Sequence, residues 1–334
     1  MKAFIANRYG KKEKLQLTEV AKPIVKPNDV LVQVSAAGVN SLDSLIRNGD
    51  FKVFIPYKPP FALGHDVAGV VTQVGTNVRK FKVGDEVYAR PADYSIGTFA
   101  EYVAFHENDA TLKPKNINME EAASIPLVGL TSWQSLIEIA NLKKGQKVFI
   151  QAGSGGVGTF AIQLAKHLGA FVATTTSETN MPLVRSLGAD LVIDYKKEDF
   201  ASILKDYDVV LHSNRDAKVL EKSLQVLKPG GTLVSLVGPP TTEFAQKIGL
   251  AWYLKLVTSL LSWSVKRKAK KLGVNYFFLF MKADGKQLKE ITALIERGAI
   301  RPVVDKVFPF EQTNDALTYV ESGRAKGKVV ITVR

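Results

Sequence analysis

The chain has 334 residues, 46% of them hydrophobic and 23% charged, enough for two ordinary globular domains with a large core. It contains no cysteine, which excludes disulfides, thiolate nucleophiles, iron–sulfur clusters and zinc sites built on thiolates. The formal net charge of +13 favours polyanions and phosphorylated small molecules but does not by itself establish nucleic-acid binding.

In chain order, the start MKAFIANRYG lacks the apolar stretch of a signal peptide, and the expectation is a cytoplasmic protein. Short β-branched or alternating runs then predict strands at Lys2–Ile5, Asp29–Ala36, Asp66–Val74, Glu86–Ala89 and Glu101–Phe105. Turns rich in Gly, Pro and Asn separate them, as in an irregular all-β unit. The texture changes near residue 120. Helices are predicted at Met119–Ala123 and Gly129–Ala140, followed by a strand–helix alternation. The strands of that alternation are Lys147–Gln151, Phe171–Thr175, Leu191–Asp194, Asp208–His212 and Gly231–Val237. Helices Thr159–Leu168, Asn180–Leu187, Phe200–Leu204 and Lys218–Leu227 lie between them. Continuous apolar strands of this kind fit a doubly wound parallel sheet covered on both faces, an α/β fold. A further helix, Gly285–Arg297, and strands Val303–Phe308 and Lys328–Val333 return to the texture of the first unit. The expected division is therefore 1–120 with 272–334, and 121–271. No internal repeat interrupts it.

The most informative stretch is Val148–Gly158, a buried strand running into Gly153-Ser154-Gly155-Gly156-Val157-Gly158 and then a helix. This is a GxGxxG with the strand and helix that such a motif requires. Gly153 makes the tight turn, Gly155 lets backbone approach a pyrophosphate, and Gly158 lets helix and strand pack closely. The helix N-terminus offers free N–H groups and partial positive charge to the phosphates. In such a unit an acidic residue after the second strand bonds the ribose diol, and its absence leaves room for a 2′-phosphate. Here the strand tip carries hydroxyls, and Ser177 and Asn180 are donors suited to a phosphate. Glu178 points the other way, if it folds back on the ribose. Ser177 and Asn180 are also preferred helix caps, and both roles can coexist. The balance favours NADPH over NADH. Ser213 after the fourth strand, and Val237 and Gly238 after the fifth, fall at strand ends that face a cofactor crevice. His212 shares that location.

Several motifs in order resemble the medium-chain dehydrogenase/reductase superfamily, specifically its zinc-free quinone oxidoreductase branch, the zeta-crystallin-like proteins. They are Gly38–Asp43, Gly64–Val71, Val83–Tyr88, Gly129–Thr131, Ala152–Gly158, Leu187–Asp190 and Gly323–Val330, spanning nearly the whole chain. The resemblance implies a GroES-like β-rich catalytic domain interrupted in sequence by a Rossmann domain, with the active site in the cleft between them. It places Asn40 and Thr131 beside the nicotinamide, Tyr195 at a cofactor-binding position, and Lys326 near the cofactor, although a surface lysine is the plainer reading there. Zinc-dependent relatives place metal ligands at the positions of Asn40 and His65; no metal is expected here, although His65, Asp43 and another carboxylate are chemically able to bind one. The tyrosines that some quinone reductases carry are replaced by Leu45 and Phe51, and Tyr57 lies nearby. The implied activity is NADPH-dependent hydride transfer to a quinone or conjugated enone. The runner-up is a zinc-free alcohol or aldehyde reductase. A nucleotide-sensing or RNA-binding protein on the same fold is a third reading, without any specific nucleic-acid signature to support it. A homodimer is the family habit.

Segment 248–271 stands apart. Ile248–Val265 is largely apolar, with Trp252, Tyr253 and Trp263, and is followed by five basic residues among Lys266–Lys271. It is short for a membrane span and has Lys255 inside it. Packing at a domain or subunit interface and a peripheral membrane contact through an interfacial helix both remain open.

Overall fold

The computed structural model describes residues 1–11 and 13–334, which divide into two compact units, Met1–Leu130 with Lys282–Arg334, and Thr131–Met281. The first unit opens with β1 (Lys2–Ala6), β2 (Gln16–Glu19), β3 (Asp29–Val39), helix α1 (Ser41–Asn48) and β4 (Phe61–Ala62). It continues through β5 (Asp66–Val74), β6 (Glu86–Ala89), β7 (Tyr102–His106), β8 (Ala110–Leu112) and helix α2 (Met119–Ala123). Strands β2, β1 and β4 form a small antiparallel sheet. The larger sheet is built on β3, which pairs antiparallel with both β5 and β7. Small residues let neighbours approach this axis closely. A Cβ on Gly38 would lie 2.4 Å from the Ala123 carbonyl of α2, and one on Gly69 would lie 2.1 Å from the Gln33 carbonyl.

Helix α3 (Pro126–Trp133) starts with proline at its first position and widens into a π-type turn over Gln134–Ile139. The helix expected at Gly129–Ala140 thus begins three residues earlier. The amide of Leu127 donates to the buried Asp66 carboxylate at 2.7 Å, which ties the start of α3 into the first unit.

The second unit contains β9 (Lys147–Ile150), α4 (Gly156–His167), β10 (Phe171–Thr176), α5 (Met181–Ser186), β11 (Leu191–Asp194) and α6 (Phe200–Ile203). Then come β12 (Tyr207–His212), α7 (Ala217–Gln225), β13 (Leu227–Ser235), α8 (Thr242–Lys247), α9 (Trp252–Leu272) and β14 (Asn275–Phe278). Its six strands are all parallel and run in the order β11-β10-β9-β12-β13-β14. In chain order that is 3-2-1-4-5-6, the dinucleotide-binding arrangement, whose strand order reverses beside β9. Phe149, Phe200, Tyr207 and Val210 centre a core that also takes in Val265 and Ala269 of α9.

The chain re-enters the first unit with α10 (Gly285–Glu296), β15 (Val304–Pro309), α11 (Thr313–Glu321) and β16 (Lys328–Thr332). β16 pairs antiparallel with β3, Val329 opposite Val39. β14 is absent from the sequence reading: its four residues follow directly on α9 and alternate too briefly to stand out.

Candidate active site

The glycine turn leaves β9 under constraint. Ala152 has a φ of +52°, a left-handed conformation that alanine rarely adopts, and its amide donates to the Thr175 hydroxyl at 3.2 Å. Two of the turn's glycines are required by the protein itself. A Cβ on Gly153 would lie 2.1 Å from the Thr174 hydroxyl, and one on Gly158 would lie 2.4 Å from the Ala152 carbonyl and 2.6 Å from the Gly153 Cα. Gly155 differs in degree, since among the described residues beyond its chain neighbours a Cβ there would meet the Ala152 carbonyl at 3.3 Å and nothing else within 4 Å. Gly155 is also the N-cap of α4 and has no side chain with which to cap it. The first-turn amides of Gly156, Val157 and Gly158 therefore depend on water or a ligand anion. The cradle fits the pyrophosphate of a dinucleotide.

The tip of β10 gathers the next group. The Ser154 hydroxyl receives hydrogen bonds from Thr176 Oγ1 at 2.9 Å and Asn180 Nδ2 at 3.3 Å. Asn180 Oδ1 is buried with no partner among the described residues. Ser177 and Asn180 both stand at cap positions, yet neither side chain makes a capping bond. The Ser177 hydroxyl is thereby left for another use, whereas the Asn180 side-chain donor is engaged by Ser154. Glu178 bonds to Lys197 at 2.7 Å on the surface, so its carboxylate is already matched by a cation. Tyr195 follows β11 and is 61% exposed, with its amide donating to the Thr176 carbonyl at 3.3 Å.

Ser213, Val237 and Gly238 lie at the same sheet edge, after β12 and β13. Ser213 is fastened by its amide to Gln151 Oε1 at 3.1 Å. Gly238 donates to Ser235 Oγ at 2.8 Å, and a Cβ on it would lie 2.5 Å from the Tyr276 hydroxyl. His212 is buried, with Nδ1 on Ser235 Oγ at 2.8 Å and Nε2 unpartnered among the described residues. Burial pushes its pKa down to about 4, so the ring is neutral at pH 7. An unfolded histidine titrates near 6.5. Between those values the unfolded chain holds the extra proton, so stability falls as the pH drops through this window and the loss is complete below about pH 4. The full effect is about 3 kcal/mol. His212→Gln is expected to flatten the dependence of the urea midpoint on pH between about 6.5 and 4; an unchanged slope would assign it to other groups.

Within the first unit, strand register assembles a buried polar network around Asn40. Gly38 pairs with Asp66 and Val39 with Val329, so the end of β3 meets the starts of β5 and β16. Asn40 Nδ2 donates to Asp66 Oδ2 at 2.9 Å, and its Oδ1 accepts from Lys328 Nζ. Lys328 also pairs with Asp66 at 3.0 Å. The Asn40 amide donates to Asp43 Oδ2 at 2.7 Å, and Asp43 Oδ1 lies 2.6 Å from His65 Nδ1. All five side chains are buried. Lys328 was missed in the sequence, where Lys326 drew attention; Lys326 is exposed. Its signal is a lysine opening an otherwise apolar strand, which needs a carboxylate once buried. Thr131 is buried on α3.

Asp66 is engaged by the Lys328 ammonium, and Asp43 holds His65 Nδ1 while His65 Nε2 is buried without a partner among the described residues. No group of three His, Cys, Asp or Glu suited to a metal occurs among the described residues.

Residues 26–115 match the family model described as alcohol dehydrogenase GroES-like domain, and residues 187–331 the one described as zinc-binding dehydrogenase. The chain is 36% identical over 356 residues to NAD(P)H oxidoreductase RTN4IP1, mitochondrial, of Danio rerio, covering 100% of this chain and 91% of the relative. It is 36% identical over 345 residues to the NADPH-dependent alkenal/one oxidoreductase, chloroplastic, of Arabidopsis thaliana, covering 99% and 79%. The solved structure of the quinone oxidoreductase from Coxiella burnetii superposes with a TM-score of 0.87 at 30% identity, covering 100% and 99% of the two chains. With a dinucleotide-binding sheet, a GroES-like β unit and full-length identity above a third, the chain belongs to the medium-chain dehydrogenase/reductase superfamily.

Proposed function

We propose that this protein is an NADPH-dependent oxidoreductase that reduces a quinone or a conjugated enone without a metal. The observation that carries the reading is the tip of β10, where the Ser177 hydroxyl makes no capping bond, Asn180 is held beside it by Ser154, and Glu178 is matched by Lys197. That combination suits a 2′-phosphate better than a bare ribose diol. The names of the relatives, NAD(P)H, alkenal/one and quinone oxidoreductases, support the same chemistry.

NADPH, when bound, supplies the hydride. The chain's own contribution is positioning. The α4 amides hold the pyrophosphate, and Ser177, Asn180 and Tyr195 take the adenosine end. The family resemblance assigns Asn40 and Thr131 to the nicotinamide end, and Asn40 is fixed by Asp66 and Lys328. An enone or quinone stabilises incoming charge through its own conjugation, and solvent supplies the proton. The working assembly is a homodimer. β14 ends the sheet with an unpaired edge and the half-exposed Phe277, which suits pairing of two copies.

The test is oxidation of NADPH and NADH against a panel of quinones, enones, aldehydes and alcohols. Deuterium from C4-labelled NADPH should appear at the β-carbon of an enone product. Activity confined to alcohols and aldehydes, or no turnover with any acceptor, would sink the reading. Ser177→Glu should lower the NADPH/NADH preference by about tenfold or more, by opposing the 2′-phosphate with a carboxylate. An unchanged preference would remove Ser177 from the phosphate site.

A further inference from the structure

Helix α9 wears its sequence inside out. Its buried stripe is Thr258, Ser262, Val265 and Ala269, mostly small and partly polar. The hydroxyls of Thr258 and Ser262 bond back to the helix's own carbonyls, at 2.9 and 2.8 Å. At 100° per residue the opposite side carries Trp252, Tyr253, Leu256, Leu260 and Trp263. All are exposed, Trp252 by 73% and Leu260 by 77%. A helix that only packed against its own unit would bury these and expose the serine and threonine.

The same outward side turns basic in the last two turns. Lys266 and Lys268 are taken by Glu243 and Glu221, whereas Arg267, Lys270 and Lys271 have no carboxylate partner among the described residues. Arg267 lies over the Trp263 ring, 5.2 Å from its centroid. No acidic residue occurs anywhere in Trp252–Leu272. No described helix is long and apolar enough to cross a membrane.

We propose that α9 is a membrane-docking helix that lies in the plane of an anionic bilayer surface. Trp252, Tyr253 and Trp263 are the side chains favoured at the headgroup level, the leucines enter the acyl boundary, and Arg267, Lys270 and Lys271 meet lipid phosphates. A second copy docked α9 against α9 would offer these cations no carboxylate from either helix, so charge complementarity selects the lipid surface.

Flotation of the full chain with phosphatidylcholine vesicles, and with vesicles of phosphatidylcholine and phosphatidylglycerol in equal parts, tests this. Binding is expected to the anionic vesicles and to be weak on the neutral ones. Leu260→Glu, at a largely solvated position, should lower the bound fraction about tenfold, and so should joint Arg267→Glu, Lys270→Glu and Lys271→Glu. NADPH oxidation should be unchanged in both variants. Brominated lipids should quench the emission of Trp252 and Trp263. Absence of flotation, or flotation that Leu260→Glu leaves intact, overturns the proposal. A dimer that Leu260→Glu dissociates, with no vesicle binding, also overturns it and assigns the face to a contact between copies.

Discussion

Lys328→Met is expected to destabilise the folded chain by about 3–5 kcal/mol, the usual effect of breaking a buried ion pair by removing one partner. Asp66 is fully buried and Lys328 is 4% exposed. Without the ammonium, the Asp66 carboxylate retains only neutral donors, the Leu127 amide at 2.7 Å and Asn40 Nδ2 at 2.9 Å. Two hydrogen bonds do not replace a counter-charge in a site closed to water. The double variant Asp66→Asn/Lys328→Met removes both charges, keeps an acceptor for Leu127, and should recover much of the loss. Urea unfolding of the four proteins forms a double-mutant cycle, and a coupling of at least about 2 kcal/mol is expected. Additive effects would mean that the pair is not coupled. With Asn40 at the nicotinamide as proposed above, the cycle also bears on catalysis, because Lys328 fixes the oxygen of the Asn40 amide. A folded double variant should lose turnover with an enone more than affinity for NADPH, since Asn40 would be free to rotate while the site at β9 and β10 is untouched.

That network shows where the sequence stops being legible. The alternation of apolar strands with helices from residue 147 onward carried the parallel sheet, because each strand and helix is locally patterned. The glycine turn could be read residue by residue, because its spacing is a property of a single strand–turn–helix unit. Asn40 was found through a motif, but its partners were not. Asp66 and Lys328 are 26 and 288 residues away, and only the register of β3 with β5 and β16 brings them together. The same limit affected Glu178. Read alone it opposed a 2′-phosphate; its pairing with Lys197 depends on the turn after β11 folding beside β10. The outward face of α9 was visible as an apolar segment ending in lysines. Which side faces solvent was set by small residues at Thr258, Ser262 and Ala269, a pattern that hydrophobicity alone reads backwards.

The glycine turn itself divides into two kinds of position, and substitution should separate them. Gly158→Ala places a methyl group 2.4 Å from the Ala152 carbonyl and 2.6 Å from the Gly153 Cα, both backbone atoms. Backbone cannot rotate out of the way, so α4 must move off β9. Ala152 is already held in a left-handed conformation and has little room to adjust. Overpacking of this kind costs about 1–3 kcal/mol, and the shift carries the first-turn amides of α4 away from the phosphate position. Gly158→Ala should therefore lower the urea midpoint and NADPH affinity together. Gly155→Ala meets the Ala152 carbonyl at 3.3 Å and replaces glycine at the N-cap of α4, milder strains that should lower the urea midpoint less than Gly158→Ala does. With the pyrophosphate on the α4 amides as proposed above, its methyl group would crowd the phosphate, and affinity for NADPH should fall by about tenfold or more. Fluorescence titration with NADPH beside urea unfolding reads the two effects separately. If Gly155→Ala bound NADPH as tightly as the unmodified chain, the open side of the turn would not be where the cofactor enters. If it unfolded as readily as Gly158→Ala, the glycine would be there for packing rather than for the cofactor.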